Sequence, residues 1–156
     1  DFREGEIAVE LGCSPGGVVH ALLNRGVSVI GVDPAKMDDV VTAREVDERE
    51  QLNLQTAFYH CRKPAALVSK RDLGEGVTWF LSDMNQNPDV VLSECARFVK
   101  MAPSIRGVLI TLKLSKLDAV QGKAQWLNRL REIGFPMVRL QQLATHNREF
   151  ALLGLR

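Results

Sequence analysis

A turn that carries three glycines and one proline separates the first apolar run of the sequence from its first amphipathic segment. Residues 7–11 (IAVEL) are largely apolar, residues 12–17 (GCSPGG) form the turn, and residues 18–23 repeat apolar side chains at helical spacing. The helical pattern stops at Gly26, and residues 28–33 (SVIGVD) are typical of a buried strand that ends on an acid. This order predicts a β-α-β unit, and such units build parallel sheets.

The alternation of strands and helices continues along the rest of the chain. Strands are predicted over residues 57–61, 77–82 and 107–114, and helices from Pro88 to about Met101 and over residues 117–133. The charge-dense residues 35–56 leave open a solvated helix or a loop with one helical turn. The segments PMVRLQQLA, THNR and EFALLGL predict a closing hairpin with an antiparallel edge. The fold class is therefore α/β and Rossmann-like, with a mostly parallel, doubly wound sheet and a C-terminal antiparallel hairpin.

Composition places the chain among globular proteins. With 156 residues, 46% of them hydrophobic and 25% charged, it is predicted to form a single domain over residues 1–156. No apolar run approaches the ~20 residues of a membrane span, so we expect no membrane association. Cys13, Cys61 and Cys95 lack CxxC or metal-ligand spacing, which indicates a reducing, cytoplasmic setting and no metal site. The opening segment DFREGE has neither a basic n-region nor an apolar h-region, so we expect no export, and it has no initiator Met, so we expect a piece of a longer protein.

Charge is distributed unevenly although the net charge is only +1. Residues 1–90 carry 9 Lys and Arg against 15 Asp and Glu, whereas residues 91–156 carry 11 against 4. A basic C-terminal part can attract a polyanion such as RNA through counterion release. Charge alone leaves open the alternative that these cations only solvate helix surfaces.

The turn after the first strand is the usual ligand site of an open α/β sheet. Its glycines let the backbone pass close to a ligand, and Asp33, at the end of the second strand, is placed to bind a ribose diol. The spacing is not the GxGxxG of dinucleotide sites, and Glu10 suits the cationic S-adenosylmethionine better than a diphosphate. A tight turn without a ligand is the alternative for the glycines, and a helix cap for Asp33. The candidate cofactor-binding residues here are Glu10, Gly12, Cys13, Ser14, Pro15, Gly16, Gly17 and Asp33.

Four segments in order carry a resemblance to a known family: ELGCSPGGVVHALLNRGVSVIGVD, LSDMNQNP, LITLKL and THNREFALLGL. They are similar to the FtsJ-like ribose 2′-O-methyltransferases, most closely to the RlmM-type enzymes that methylate a cytidine of large-subunit rRNA. The resemblance covers nearly the whole chain. It implies the Rossmann-like fold of class I S-adenosylmethionine-dependent methyltransferases, S-adenosyl-L-methionine as cofactor, and RNA, in particular rRNA, as partner. Such enzymes also have an N-terminal RNA-binding region, which we expect to lie outside this chain.

The resemblance further implies an active site of two lysines, an aspartate and a glutamate. Asp83 matches the aspartate, also beside the cofactor, Lys113 the second lysine and Glu149 the glutamate; the first lysine would lie before Asp1. The strand pattern agrees, because the apolar side chains of the fifth strand point one way and Lys113 the other. We expect Lys113 to accept the proton of a ribose 2′-hydroxyl as general base, with Asp83 and Glu149 orienting it. A lysine that merely extends into solvent is the alternative on the pattern alone.

Other functions stay open at this point. Members of the family often bind adenine with an aspartate after the third strand, but the segment YHCRKPAALV has no acid and Asp72 is a distant candidate. The same fold can methylate a small molecule or a protein, or serve as a noncatalytic module that binds the cofactor or RNA. The missing Asp/Asn-Pro-Pro-aromatic motif argues against methylation of adenine amino groups, and the glycine spacing argues against an NAD oxidoreductase.

Overall fold

The computed structural model describes residues 1–113, 122–142 and 149–156, and strands and helices alternate along them. The strands are β1 (Ile7–Leu11), β2 (Ser28–Val32), β3 (Phe58–Cys61), β4 (Val77–Ser82), β5 (Gly107–Lys113), β6 (Met137–Gln142) and β7 (Glu149–Leu155). The helices are α1 (Gly17–Leu23), α2 (Asp39–Thr42), α3 (Lys70–Leu73), α4 (Pro88–Met101) and α5 (Lys123–Ile133), with 3-10 turns at Arg49–Asn53 and Ala65–Leu67. The predicted helix over residues 117–133 is observed from Lys123 onward, and its earlier part lies outside the described residues.

The seven strands form one sheet in the order β3-β2-β1-β4-β5-β7-β6. Neighbouring strands from β3 to β5 are parallel, and β7 is antiparallel to both β5 and β6. The antiparallel strand of the predicted hairpin therefore lies one position inside the sheet, and β6 is the edge. The burial pattern explains this placement, because alternate residues of β7 are buried whereas β6 is exposed or half-buried throughout.

Helices cover the sheet on both faces, and each face has its own core. One core joins α4 and α5 to the side of the sheet that carries Leu11, Phe80 and Ile110. The other joins α1 and α2 to the opposite side, which carries Ala8, Val29 and Leu81. Because side chains alternate between the faces of a strand, two buried faces require strands that are apolar almost throughout. The five buried residues of β1 and of β2 meet this requirement.

The carboxyl ends of the central strands meet at one edge of the sheet. The Gly12 N–H donates to the Val32 carbonyl at 3.0 Å, and the Asp83 N–H donates to the Leu11 carbonyl at 3.0 Å. The residues that follow β1, β2 and β4 are therefore held side by side, as the parallel order requires. Among the described residues, no helix is both long and apolar enough to cross a bilayer.

Candidate active site at the carboxyl ends of the strands

The glycines of the first turn differ in the space that a side chain would have: at two of them it would collide with the protein, and at the third it would not. Gly12 has φ 73°, and a Cβ there would lie 3.0 Å from the backbone nitrogen of Met84. Gly16 has φ 120°, and a Cβ would lie 2.6 Å from the side chain of Val41. Gly17, the first residue of α1, has no neighbour within 4 Å of a Cβ position. Gly12 and Gly16 are thus required by backbone conformation and by packing, whereas Gly17 leaves the start of α1 open.

Asp33 connects the glycine turn to the end of β2. Its carboxylate accepts hydrogen bonds from the N–H of Ser14 at 3.1 Å and the N–H of Ala35 at 2.8 Å. The carbonyl of Asp33 accepts from Nε2 of the buried His60 at 2.9 Å, because a carbonyl can only accept. The side chain of Asp33 is half-buried. The backbone that carries this acid is therefore fixed from both sides.

A cavity of about 240 Å³ opens at this edge of the sheet. Residues at or after the ends of the first four strands line it. In chain order they are Gly12, Val32, Asp33, Pro34, Ala65, Met84, Asn85 and Gln86. Apolar side chains form one part of the wall, and the amides of Asn85 and Gln86 form another. An apolar cleft with a few polar groups at strand ends is the usual form of a cofactor site.

Glu10 is the most deeply buried acid of this region, with 2% of its surface exposed. Its Oε2 has no hydrogen-bond partner among the described residues. Burial and, to a smaller extent, the neighbouring charges of Asp83 and Asp33 together raise the pKa of this carboxyl from 4.5 to about 8. The carboxyl groups of Glu10, Asp33 and Asp83 therefore lie close enough to interact at this edge of the sheet, and such a site favours a positively charged ligand.

The remaining residues of the turn point away from the cavity or into solvent. Cys13 is buried, and its thiol donates to the sulfur of Met37 at 3.7 Å in the core under α1. The Ser14 hydroxyl donates to the carbonyl of Lys36 at 2.8 Å, and Pro15 is exposed. The side chains of Cys13 and Ser14 therefore bind other groups of the protein.

Lys113 ends β5 beside Asp83, which follows β4. The ammonium of Lys113 lies 3.3 Å from Oδ1 of Asp83 and donates to the main-chain carbonyl of Asp83 at 3.2 Å. Glu149, the first residue of β7, pairs directly with Lys113 across the antiparallel ladder. Opposed residues of such a ladder have Cβ atoms within about 5.5 Å. The structure thus places the ammonium of Lys113 beside the carboxylate of Asp83, with Glu149 at the opposite position of the next strand, close to the turn that carries Gly12.

Several residues of the site have no signal in the sequence pattern. His60 lies on β3, where its ring holds the Asp33 backbone, and only the register of β2 with β3 brings the two together. Ala65 and Met84 contact the cavity from loops after β3 and β4. Their positions after predicted strands were the available clue, but periodicity does not distinguish the loop residues that face a ligand from those that do not.

Asp72, the distant candidate for an adenine-binding acid, belongs to a different part of the surface. Its carboxylate accepts from Lys63 at 2.5 Å and from the N–H and hydroxyl of Ser69 at 2.8 Å each. It borders a separate open cleft of about 500 Å³ that is lined by charged residues and Tyr59. Instead, Ala65 contacts the 240 Å³ cavity after β3, so no acid from that loop lines it.

Comparison with curated proteins identifies relatives with similar sequences. The chain is 30% identical over 152 residues to the ribosomal RNA large subunit methyltransferase M of Azoarcus sp. (strain BH72). The alignment covers 95% of this chain and 37% of that protein, so the chain spans little more than a third of its length. This similarity confirms the predicted resemblance to ribosomal RNA methyltransferases. No family model matches the chain.

Solved structures with the same architecture confirm the predicted fold. Aeropyrum pernix fibrillarin, crystallised with S-adenosyl-L-methionine, has a TM-score of 0.68 at 16% identity, covering 98% of this chain and 67% of that one. The magnesium protoporphyrin IX methyltransferase of Synechocystis PCC 6803 with the same molecule bound has a TM-score of 0.64 at 15% identity, covering 98% and 71%. At these identities the likeness concerns the fold, which is the Rossmann-like methyltransferase fold.

Proposed function

We propose that this chain is the catalytic domain of an S-adenosylmethionine-dependent RNA methyltransferase, and that it transfers a methyl group to a ribose 2′-hydroxyl of ribosomal RNA. The observation that carries the proposal is the ammonium of Lys113 held beside Asp83 and opposite Glu149, next to a cavity at the glycine turn. The name of the curated relative supports rRNA as the substrate class. The domain is proposed to extend over residues 1–156.

The residues around the cavity fit the proposed cofactor. The unpartnered, buried Oε2 of Glu10 and the carboxylates beside it offer negative charge to a cationic amino acid. Asp33 would bind the ribose hydroxyls, and the turn from Gly12 to Gly17 would offer backbone groups. When bound, S-adenosylmethionine supplies an electrophilic methyl group on a sulfonium.

The proposed chemistry of the chain's own residues concerns one proton. A ribose hydroxyl is a weak nucleophile at neutral pH, so a base has to accept its proton as the oxygen attacks. Lys113 in its neutral form would accept this proton at Nζ. Asp83 holds the lysine side chain in place through two contacts and would stabilise the ammonium that results. Glu149, opposite Lys113, would stabilise the same positive charge.

The RNA part of the proposal is supported by surface charge near this site. Of the basic residues after position 90, Arg97, Arg106 and Arg129 already bind carboxylates of the chain. Lys123 is exposed at the start of α5, with its Nζ 4.7 Å from the centre of the Phe150 ring. Phe150 follows Glu149 on β7, so the ammonium of Lys123 lies at the same end of the sheet as the proposed acceptor site, and we propose that it contacts a phosphate of the RNA there.

The first experiment measures transfer of the labelled methyl group of S-adenosylmethionine to unmodified rRNA. Lys113→Met keeps the length of the side chain and removes its basic nitrogen, so methylation should fall by roughly 10²–10⁴-fold, while cofactor binding changes little. Lys100→Ala, an exposed lysine of α4, is the matched control and should stay active. Resistance of the labelled site to alkaline cleavage identifies a 2′-O-methyl group. Full activity of Lys113→Met would refute the assignment of the base.

The second experiment identifies the acceptor class through salt dependence. RNA binding should weaken steeply as salt rises, and Lys123→Ala should lower the salt slope by about one, as loss of one phosphate contact does. Lys70→Ala, an exposed lysine of the acidic part, should leave the slope unchanged. A slope near zero would indicate a small-molecule or protein acceptor. Cofactor binding without turnover on any RNA would indicate a noncatalytic module.

A further inference from the structure

Glu10 is buried within the sheet, and its neighbours on the adjacent strands offer no hydrogen bond to replace those its carboxyl would make with water. Its register partners are Gly31 of β2 and Leu81 of β4, and neither offers a polar side chain. Oε2 has no hydrogen-bond partner in the described part of the chain. A buried ionised carboxylate without a partner is costly, so the group either holds a proton or requires a cation.

The groups near Glu10 come from every neighbouring element, and among the described residues none of them makes a hydrogen bond to its Oε2. Asp33 follows β2, Asp83 follows β4, and both carboxylates oppose ionisation of Glu10. In the turn, burial and the neighbouring Glu10 and Asp33 raise the pKa of the Cys13 thiol, which therefore stays neutral. His60 of β3 lies on the far side of Gly31, and its Nδ1 also lacks a partner among the described residues. The nearby ammonium of Lys113 is paired with Asp83.

Building on the proposed cofactor site, we propose that Glu10 carries a proton in the free protein and releases it to solvent when the cationic amino acid part of S-adenosylmethionine binds. The O–H bond of the carboxyl breaks, the proton passes to the buffer, and the carboxylate stays to balance the charge of the ligand. One binding event therefore releases one proton. Glu10 is thus a residue that selects for charge in the ligand.

The physical reason is that the ligand changes the sign of the local electrostatics. In the free protein two carboxylates and the apolar wall favour the protonated form of Glu10, with its pKa near 8. A fixed positive charge beside the group favours the carboxylate instead. Affinity for S-adenosylmethionine should then rise up to about tenfold per pH unit between pH 6 and pH 7.5. Uncharged adenosine lacks this charge, so its affinity should not depend on pH in this range.

The test is calorimetric titration of the chain with S-adenosylmethionine at pH 7 in two buffers, phosphate and Tris, which differ in ionisation enthalpy. The binding heats should differ by the amount that one released proton predicts. Glu10→Gln, which has the same shape but no titrating group, should bind with heats that do not depend on the buffer. Glu132→Gln, an exposed acid of α5, is the matched control and should keep the proton release. Adenosine should bind without proton release.

A carbon-13 NMR titration of the Glu10 carboxyl in the free chain separates this inference from the proposed function. A titration near pH 8 with the proton release described above supports both. A titration near pH 4, or cofactor binding with heats independent of the buffer, overturns the proton release and leaves the proposed function standing. Proton release that persists in Glu10→Gln overturns the assignment to this residue. No binding of S-adenosylmethionine at all overturns the proposed function and this inference together.

Discussion

Gly12 combines a positive φ with a close backbone neighbour, and either feature alone would restrict the residue type at this position. Its φ of 73° is the left-handed conformation that side chains disfavour. The backbone of Met84 lies where a side chain would begin, at 3.0 Å from a Cβ. The same loop, which follows β4, carries Asp83, the partner of the proposed base Lys113, so Gly12 allows the cofactor turn to approach this loop closely.

We expect Gly12→Ala to lower the free energy of unfolding by about 1–3 kcal/mol, because the strained φ and the backbone contact both oppose a methyl group. Gly17→Ala is the matched control in the same turn. It has ordinary helical surroundings and no atom within 4 Å of its Cβ position, so its stability should be unchanged or higher by up to about 1 kcal/mol. Urea unfolding of both variants measures the difference, and equal stabilities would contradict this account of the turn.

At the scale of elements, the loop between β4 and α4 is held by a helix cap. The side-chain oxygen of Asn87 accepts from the N–H of Asp89 at 2.8 Å, and Pro88 occupies the first turn. The cap fixes where α4 begins and therefore limits the course of residues 83–86, which include Asp83 and part of the cavity wall. Asn87 thus helps to position Asp83 and the cavity wall although it does not line the cavity itself.

Asn87→Ala should destabilise the chain by about 1 kcal/mol through loss of this cap. Asn85→Ala changes the same residue type in the same loop at an exposed position, and its effect on stability should stay within about 0.5 kcal/mol. Thermal unfolding monitored by circular dichroism compares the two. A larger loss for Asn85 than for Asn87 would show that the cap does not hold the loop.

Local patterns predicted the elements better than they predicted the contacts between them. Pro88 marked the observed start of α4, and the alternation along β5 placed Lys113 opposite its apolar neighbours, because both features depend only on nearby residues. Two other features depend on pairing between strands that are distant in sequence: the hydrogen bond from His60 to the Asp33 carbonyl and the position of β7 inside the sheet. Periodicity also cannot show that Oε2 of Glu10 lacks a hydrogen-bond partner among the described residues, since the groups around it come from several strands.

For the whole molecule, the buried Glu10 makes stability depend on pH. The unfolded chain ionises this group near pH 4.5, whereas the folded chain does so near pH 8. Between these values the folded state binds more protons, so the free energy of unfolding should fall as pH rises, at most by about 1.4 kcal/mol per pH unit. Below pH 4.5 the contribution vanishes, because both states are protonated.

Urea unfolding at pH 5, 6, 7 and 8 checks this expectation in the free chain. In Glu10→Gln the free energy of unfolding should decrease less between pH 5 and pH 8. At pH 8 this variant should be more stable than the original chain. Glu6→Gln is an instructive comparison, because Glu6 binds Arg106 at 2.7 Å and its pKa is lowered by hydrogen bonds that outweigh its burial. That variant should be less stable than the original chain throughout pH 5 to 8, and an additional measurement below pH 4.5 should show the difference shrinking as Glu6 takes up a proton. A rise in the stability of the original chain between pH 5 and pH 8 would contradict the role given to Glu10.

The position of β7 between β5 and β6 gives the chain an order of assembly. β6 leaves the ribosome before β7, yet its strand partner in the described sheet is β7, which also pairs with β5. During synthesis β6 therefore has to wait, with its hydrogen-bonding groups in water, until the later segment has been made. The same late segment brings Glu149 to Lys113, so a growing chain cannot assemble its proposed catalytic groups before its sheet is closed.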